Sequence, residues 1–377
     1  MQKGEKQKKI IFIIGTRPEM IKFAPLILKL RESSFFNISI CFTGQHKELL
    51  DDTANFFCIK PDVHLSLMSA DQGLGSFISR AILELEKVLK SEVPDLVFVQ
   101  GDTSTVLAGA MASFYQRIPL AHLEAGLRSH DLYNPFPEEM NRVQTSRLAS
   151  LHFAPTKKAA NNLVKEGINK KIWIVGNTVI DALTIGLNKI KSEGEEIYKT
   201  KFSSLNFEKK YILITIHRRE NFGKPMDEIL EALQSFATGF PDVQLVIPVH
   251  PNPNVKSKIE MMMGQISNVF LFSPFSYAEM IWMMCNSYFI VTDSGGIQEE
   301  APTLKKPLIV LRNTTERTES NESGLAVLTG SDKNKIIGNM TRLMEDNEYY
   351  GSFITNENPY GDGKASEKII EILNREL

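Results

Sequence analysis

Cysteine is scarce: Cys41, Cys58 and Cys285 are the only three in 377 residues. They are widely spaced and form no CxxC pair, which excludes a disulfide framework and a thiolate metal site. They read as buried thiols of a cytosolic protein. An excess of one charge is also missing. Lys and Arg total 43 against 45 Asp and Glu, a net charge of -2. That removes the electrostatic case for nucleic acid or an anionic membrane as partner. No apolar stretch approaches the roughly 20 residues of a membrane-spanning helix. There is no low-complexity tract and no short repeat. The first nine residues carry four lysines and one acid. The apolar run after them, Ile10–Ile14, stops at Gly15-Thr16-Arg17-Pro18, too short for a signal peptide. A cytoplasmic location is expected.

What is present is ordinary for a globular protein: 42% apolar and 23% charged residues. The length exceeds what one core usually supports, so two domains are expected. Strand-like runs begin near Ile10, Ile38, Leu96, Pro119, Leu151 and Ile172, with helical periods such as Ile21–Leu30, Phe77–Leu89 and Val106–Phe114 between them. A polar, lysine-rich stretch, Lys189–Lys210, marks a boundary region. The alternation then restarts at Tyr211–Ile216, Val243–Val249, Val269–Phe272, Ser287–Val291 and Pro307–Val310. Alternation of this kind predicts parallel sheets in βα units. Two doubly wound α/β halves are the simplest account, with a ligand held at the carboxyl ends of the strands, in a cleft between them.

Polar residues at those strand ends form one list. The stretch Val291-Thr-Asp-Ser-Gly-Gly-Ile-Gln-Glu-Glu300 turns a strand into a helix. Ser294, Gly295 and Gly296 stand where free N–H groups and the helix dipole attract phosphate. Glu299 and Glu300, one turn on, suit a ribose diol. A plain turn with glycine for packing is the bland alternative. After the first strand, Pro18 fits a first helical turn. Arg17 is then left to clamp a phosphate and Lys22 to add a charge, although a single Lys is more often a surface cation. Gln45 and His46 stand at a loop-to-helix junction, as sugar or phosphate readers or as simple caps. Asp102 either caps the next helix or points at the ligand. Glu124 follows a buried strand, where an unpaired charge is costly. His122 and His130 match no standard metal spacing. Glu138 and Glu139 open a helix after a proline-fixed loop and alone are ordinary dipole partners. In the second half, His217 and Arg218 lie at a strand end suited to an anion. His250 sits in Pro248–Pro253, and Arg317 in the polar loop Thr314–Glu319.

Together these residues resemble the bacterial, non-hydrolysing UDP-N-acetylglucosamine 2-epimerases. The resemblance runs through ten motifs in order: GTRPE with its IK, TGQH, GDT, H-EAGLRS, PFPEE-NR, VGNTVIDAL, HRREN, PVHPNP, TDSGGIQEEAP and TTER. It implies a glycosyltransferase-B-like fold. Residues 1–177 would form a first Rossmann-like domain, with a final helix over 361–377 packing back on it, and 178–360 the UDP-binding domain. It implies phosphate at Ser294, Gly295 and Gly296, the ribose at Glu300, and the diphosphate at Arg17 with His217 beside it.

The implied reaction is reversible inversion at C2 of UDP-N-acetylglucosamine. UDP leaves as the C2 proton is removed, giving a bound 2-acetamidoglucal, and adds back after reprotonation from the other face. This needs an acid and a base on opposite faces plus charge for the diphosphate. Asp102, Glu124 and Glu138 supply the carboxylates; Arg17, Lys22 and His217 supply the charge or proton. Asp102 and Glu138 are placed nearest the proton transfers, with Glu124 sharing that site. Neither a metal nor a redox cofactor is required.

The resemblance also implies a second, activating substrate site at Gln45, His46, Glu139 and Arg218, with His250. It further implies a homodimer serving cell-surface polysaccharide synthesis. Met280 departs from the pattern, since many members carry an aromatic residue there beside the uracil. The rivals are a hydrolysing epimerase, an epimerase of a diacetamido-uronic acid nucleotide, a retaining glycosyltransferase and a non-catalytic sensor. The TRPE, TGQH and HRREN sequences lean away from the first, and Thr16-Arg-Pro-Glu19 away from the second. The three acids count against the last two.

Overall fold

The computed structural model describes residues 7–44, 47–68, 72–250 and 252–377. The chain divides into two compact units. Unit one comprises Met1–Ala182 and Tyr360–Leu377, and unit two comprises Leu183–Pro359. The helix Thr178–Glu193 contains the first division.

Unit one is built on seven parallel strands: β1 (Lys8–Ile14), β2 (Phe36–Phe42), β3 (Val63–His64), β4 (Leu96–Gln100), β5 (Leu120–Leu123), β6 (Leu151–Ala154) and β7 (Ile172–Ile174). Their order across the sheet is β3-β2-β1-β4-β5-β6-β7. Buried on both faces, these strands are near-continuous apolar runs; in β1 every residue from Ile10 to Ile14 is buried. An aromatic row locks the sheet. Phe12 stacks on Phe98 at 5.1 Å, Phe98 on Phe153 at 5.7 Å, and Phe153 on Trp173 at 5.7 Å. Phe98 reaches Phe153 because its neighbour in register on β5 is the small Ala121.

Unit two repeats the plan with six parallel strands: β8 (Tyr211–Thr215), β9 (Gln244–Pro248), β10 (Val269–Phe272), β11 (Ile290–Thr292), β12 (Leu308–Val310) and β13 (Ala326–Leu328). Their order is β10-β9-β8-β11-β12-β13. Both units are therefore doubly wound and Rossmann-like, as in glycosyltransferase-B-like folds. Each order reverses once, between β1 and β4 in unit one and between β8 and β11 in unit two. Such switch points are where ligands enter open α/β sheets.

Several expectations need correcting. The polar stretch Lys189–Lys210, expected as the boundary region, lies wholly in unit two and contains the helix Glu196–Lys201, whose Tyr198 is buried and stacks on Trp282 at 5.5 Å. Strands β3 and β13 were not foreseen. Cys58 is exposed, lying in the turn after the helix Lys47–Phe56, whereas Cys41 is buried in β2. No described helix is long and apolar enough to cross a membrane.

The end of the chain completes unit one. The helix Ala365–Glu376 buries Ile369, Ile372 and Leu373. Asp181 caps its first turn, accepting the N–H groups of Ala365 at 3.2 Å and Ser366 at 2.8 Å. Just before it, Asn177 donates its N–H to Tyr360 O at 2.7 Å. A Cβ on Gly361 would stand 3.2 Å from Gly176 Cα, so two backbones pass closely there.

Candidate functional site

In unit one the candidate residues gather around the switch point. The tips of β1, β2 and β4 meet at Gly15. A Cβ there would lie 2.2 Å from Thr105 Oγ1 and 2.8 Å from Thr43 Oγ1. Arg17 begins the helix Arg17–Arg31 and is partly buried, with Pro18 in the first turn. Glu19, three residues after the N-cap Thr16, turns back to the loop. Its Oε2 accepts the N–H groups of Gly15 at 2.6 Å and Thr16 at 3.3 Å. Burial pushes its carboxyl from 4.5 up to about 7 despite those donors.

Lys22 is not a surface cation. It is buried, and its Nζ donates to Glu124 Oε1 at 2.5 Å. Glu124 thereby escapes the cost of an unpaired buried charge. Asn177 also donates to Oε1, at 3.2 Å, and Gln100 donates to Oε2. Glu124 holds φ at 66°, in the left-handed region that residues with side chains seldom adopt. Its Oε2 is 3.5 Å from where a Cβ on Gly101 would stand, which places it beside the Asp102 loop.

Asp102 follows β4 with its side chain about one quarter exposed. Its Oδ2 accepts Arg142 Nη2 at 2.5 Å, and its carbonyl accepts Asn141 Nδ2 at 2.8 Å. Both donors belong to the helix Glu138–Leu148, which Glu138 opens, partly buried. The peptide bonds Asn134–Pro135 and Phe136–Pro137 before it are cis. The three acids are thus joined by neighbouring side chains: Glu124 beside the loop of Asp102, and Asp102 anchored to the helix of Glu138.

Glu139 is fully committed. It is 1% exposed and accepts the N–H groups of Ser129 and His130, each at 3.0 Å. Gln45 and His46 lie outside the described residues. His122 is buried with Nε2 2.8 Å from Gly101 O, and burial pushes its pKa down to about 3, so it is neutral. No three or more His, Cys, Asp or Glu side chains among the described residues group as metal ligands.

In unit two the switch point brings His217 and Arg218, after β8, to Asp293, after β11. His217 Nδ1 lies 2.8 Å from Asp293 Oδ1. The rings of His217 and His250 are nearly parallel, 6.3 Å apart. Burial, and then the charge of His217, hold His250 below its usual range. Ser294 caps the helix Gly295–Glu300, its N–H donated to Thr292 Oγ1 at 2.8 Å.

The two glycines differ. A Cβ on Gly295 would stand 2.7 Å from Arg317 Nη1, whereas one on Gly296 would meet nothing within 4 Å. A side chain at position 295 would therefore press on Arg317, whereas position 296 has room for one. Arg317 is not in a solvated turn. It is buried, with Nε donating to Glu299 Oε1 at 2.7 Å and Nη1 paired with Glu316. Glu300 is buried and accepts the Tyr277 hydroxyl at 3.0 Å. Met280 lies one turn along from Tyr277, partly buried.

The sequence reading missed the supporting partners: Glu19, Gln100, Arg142 and Asn177 in unit one, and Asp293 in unit two. All but Gln100, which directly precedes the GDT motif, stand inside one of the quoted motifs, which was the available signal.

The family model described as UDP-N-acetylglucosamine 2-epimerase matches residues 28–374. The chain belongs to this family. A relative from Campylobacter jejuni, named UDP-N-acetylglucosamine 2-epimerase, is 47% identical, with 97% of each chain covered. One of the same name from Escherichia coli K12 is 45% identical, over 97% of this chain and 98% of the relative. The crystal structure of the family member from Neisseria meningitidis bound to UDP-GlcNAc is 44% identical. It superimposes with a TM-score of 0.95 over 97% of this chain and 100% of that one. The member from Methanocaldococcus jannaschii, in complex with UDP-GlcNAc and UDP, is 36% identical with a TM-score of 0.84, over 97% and 99% of the two chains.

Proposed function

We propose that this protein is a UDP-N-acetylglucosamine 2-epimerase of the non-hydrolysing kind, interconverting UDP-N-acetylglucosamine and UDP-N-acetylmannosamine. The observation that carries the reading is the grouping of acids in unit one. Asp102 and Glu124 end adjacent parallel strands, and Asp102 is anchored by Arg142 on the helix that Glu138 opens. A non-catalytic binder has no use for three such acids at a strand-end switch point, and a glycosyltransferase needs no base at C2.

In this reading unit two holds UDP. Ser294 and Gly296 meet phosphate, Glu300 meets the ribose, and His217 meets the diphosphate. A carboxylate of unit one removes the C2 proton while the C1–O bond breaks, and the bonding pair leaves with UDP. The 2-acetamidoglucal is then protonated at C2 from the other face, and a phosphate oxygen of UDP re-forms the bond at C1. The groups at the diphosphate lower the barrier by stabilising charge that develops as the bond breaks. Glu124, held by Lys22, Gln100 and Asn177, supports this site beside Asp102 and Glu138. The same reading gives the protein a homodimeric, cytoplasmic life in making precursors of cell-surface polysaccharide. It gives the UDP-sugar a second role as activator, at Arg218 and His250 in unit two.

The test is a proton NMR time course with UDP-N-acetylglucosamine in D2O. The expected result is UDP-N-acetylmannosamine deuterated at C2, rising to an equilibrium mixture. Steady release of N-acetylmannosamine and UDP would place the protein among hydrolysing epimerases. Absence of both turnover and exchange would sink the epimerase reading.

A further inference from the structure

Asp293 has no solvent exposure, and neither the strand-end pattern nor the reading above gives it a task. Its two oxygens do different work. Oδ2 accepts three donors: the N–H of His217 at 2.9 Å, the N–H of Arg218 at 2.8 Å and Asn221 Nδ2 at 3.0 Å. These bonds hold the loop after β8. Oδ1 lies 2.8 Å from His217 Nδ1. Asn221 is itself fixed by a second bond, to Leu311 O at 3.2 Å. Burial alone would raise the Asp293 carboxyl, but the imidazole and these N–H donors hold it below the ordinary range. It is therefore an acceptor only.

An acceptor beside Nδ1 has a definite consequence for the ring. A carboxylate oxygen at this distance favours the proton of neutral His217 on Nδ1, which leaves the lone pair on Nε2, and in cationic His217 Nε2 carries a proton to give. His250 lies nearly parallel to the ring, its own protonation disfavoured and its Nδ1 accepting the Asn252 N–H at 3.2 Å. With that acceptor nitrogen already taken, His250 does not hold the opposite tautomer.

We propose that Asp293 is a positioning residue that fixes the orientation and tautomer of His217, making Nε2 the atom that trades a proton with the diphosphate. The proposal rests on the epimerase reading and deepens it. In elimination the C1–O bond breaks with its electron pair passing to the β-phosphate oxygen. The C2 proton passes to a carboxylate, and the Nε2 proton passes to that phosphate oxygen. On return the phosphate oxygen attacks C1, C2 gains a proton from the other face, and Nε2 takes its proton back.

The test is Asp293→Asn in the full-length protein. The amide oxygen can still accept the loop N–H groups, but its NH2 donates to Nδ1 and forces the proton onto Nε2. Long-range proton–nitrogen NMR of 15N-histidine-labelled protein reads the tautomer directly, without turnover. The expected result is Nδ1–H in the wild type and Nε2–H in D293N. In D293N kcat should fall by roughly 10²-fold or more, the usual size of a general acid contribution, with KM little changed. A loop anchor alone would alter folding and KM together and leave the tautomer where it was.

An Nε2–H tautomer in the wild type would overturn the proposal even if D293N failed to fold. So would a flipped tautomer with undiminished kcat. A wild type with the Nδ1–H tautomer and no turnover would instead overturn the epimerase reading, and the step at the diphosphate with it.

Discussion

Thr103 donates its hydroxyl to Glu19 Oε1 at 2.6 Å and so ties the loop after β1 to the loop after β4. Arg17 follows the first loop at the start of its helix, Asp102 stands in the second, and the acid that joins them is buried. Between about pH 4.5 and 7 the native protein keeps a proton on Glu19 that the unfolded chain has released. Its contribution to stability is therefore complete below pH 4.5 and is lost as pH rises through 7. The loss by pH 8 is about 3 kcal/mol, at about 1.4 kcal/mol per unit. Glu19→Gln keeps the shape. Its oxygen can accept from Gly15 and Thr16, and its NH2 can donate to Thr103. Urea unfolding at pH 5 and pH 8 should show the wild type losing about 2.5 kcal/mol relative to E19Q. A constant gap between the two would show that Glu19 does not titrate in this window.

Lys22 and Glu124 are both buried, so removing one strands the other. Lys22→Met should cost roughly 3–5 kcal/mol in denaturant unfolding. The double variant K22M/E124Q should regain most of that stability, because no buried charge is left alone. It should still fail to exchange deuterium at C2. A K22M protein as stable as the wild type would mean the pair is not what holds this corner together.

Gly295 and Gly296 adjoin in the chain and should answer differently to a methyl group. Gly295→Ala would press on the Arg317 guanidinium and should cost roughly 1–3 kcal/mol. Gly296→Ala points into open space and should be neutral or slightly stabilising, since alanine favours a helix. Calorimetric titration with UDP should nevertheless show G296A binding about tenfold or more weakly, if phosphate approaches the backbone there. Unchanged affinity would move the phosphate elsewhere.

Asp102→Asn replaces a charged oxygen with an amide at a site that is partly exposed. Melting should change little, while C2 exchange in D2O should fall roughly 10²–10⁴-fold, as for loss of a general acid or base. Wild-type exchange in D102N would leave Asp102 as a structural partner of Arg142 and nothing more.

The doubly wound plan was legible because parallel strands buried on both faces become apolar runs, and the helices between them keep their own period. Two short strands escaped notice. Val63–His64 is two residues long and Ala326–Leu328 three, too few to show any period. At the site, chemical character was readable wherever a motif follows a strand, since a strand's end places its next residues on one edge of the sheet. Partnership was not. Glu124 finds Lys22 at a separation of 102 residues and Asn177 at 53, and only the folded sheet brings them together. Arg317 could be read only as a cation in a polar loop, because nothing local shows that Glu299, 18 residues earlier, lies against it.

Asp181 caps a helix that begins 184 residues later. On the ribosome, that helix emerges only after all of unit two has been made. Unit two is continuous in the chain and can close as soon as it is out. Unit one cannot, because the face that will bury Ile369, Ile372 and Leu373 stays bare until then. The first half to be synthesised is thus the last to be finished. A nascent chain stalled before Tyr360 would offer chaperones an apolar strip that the complete protein does not have.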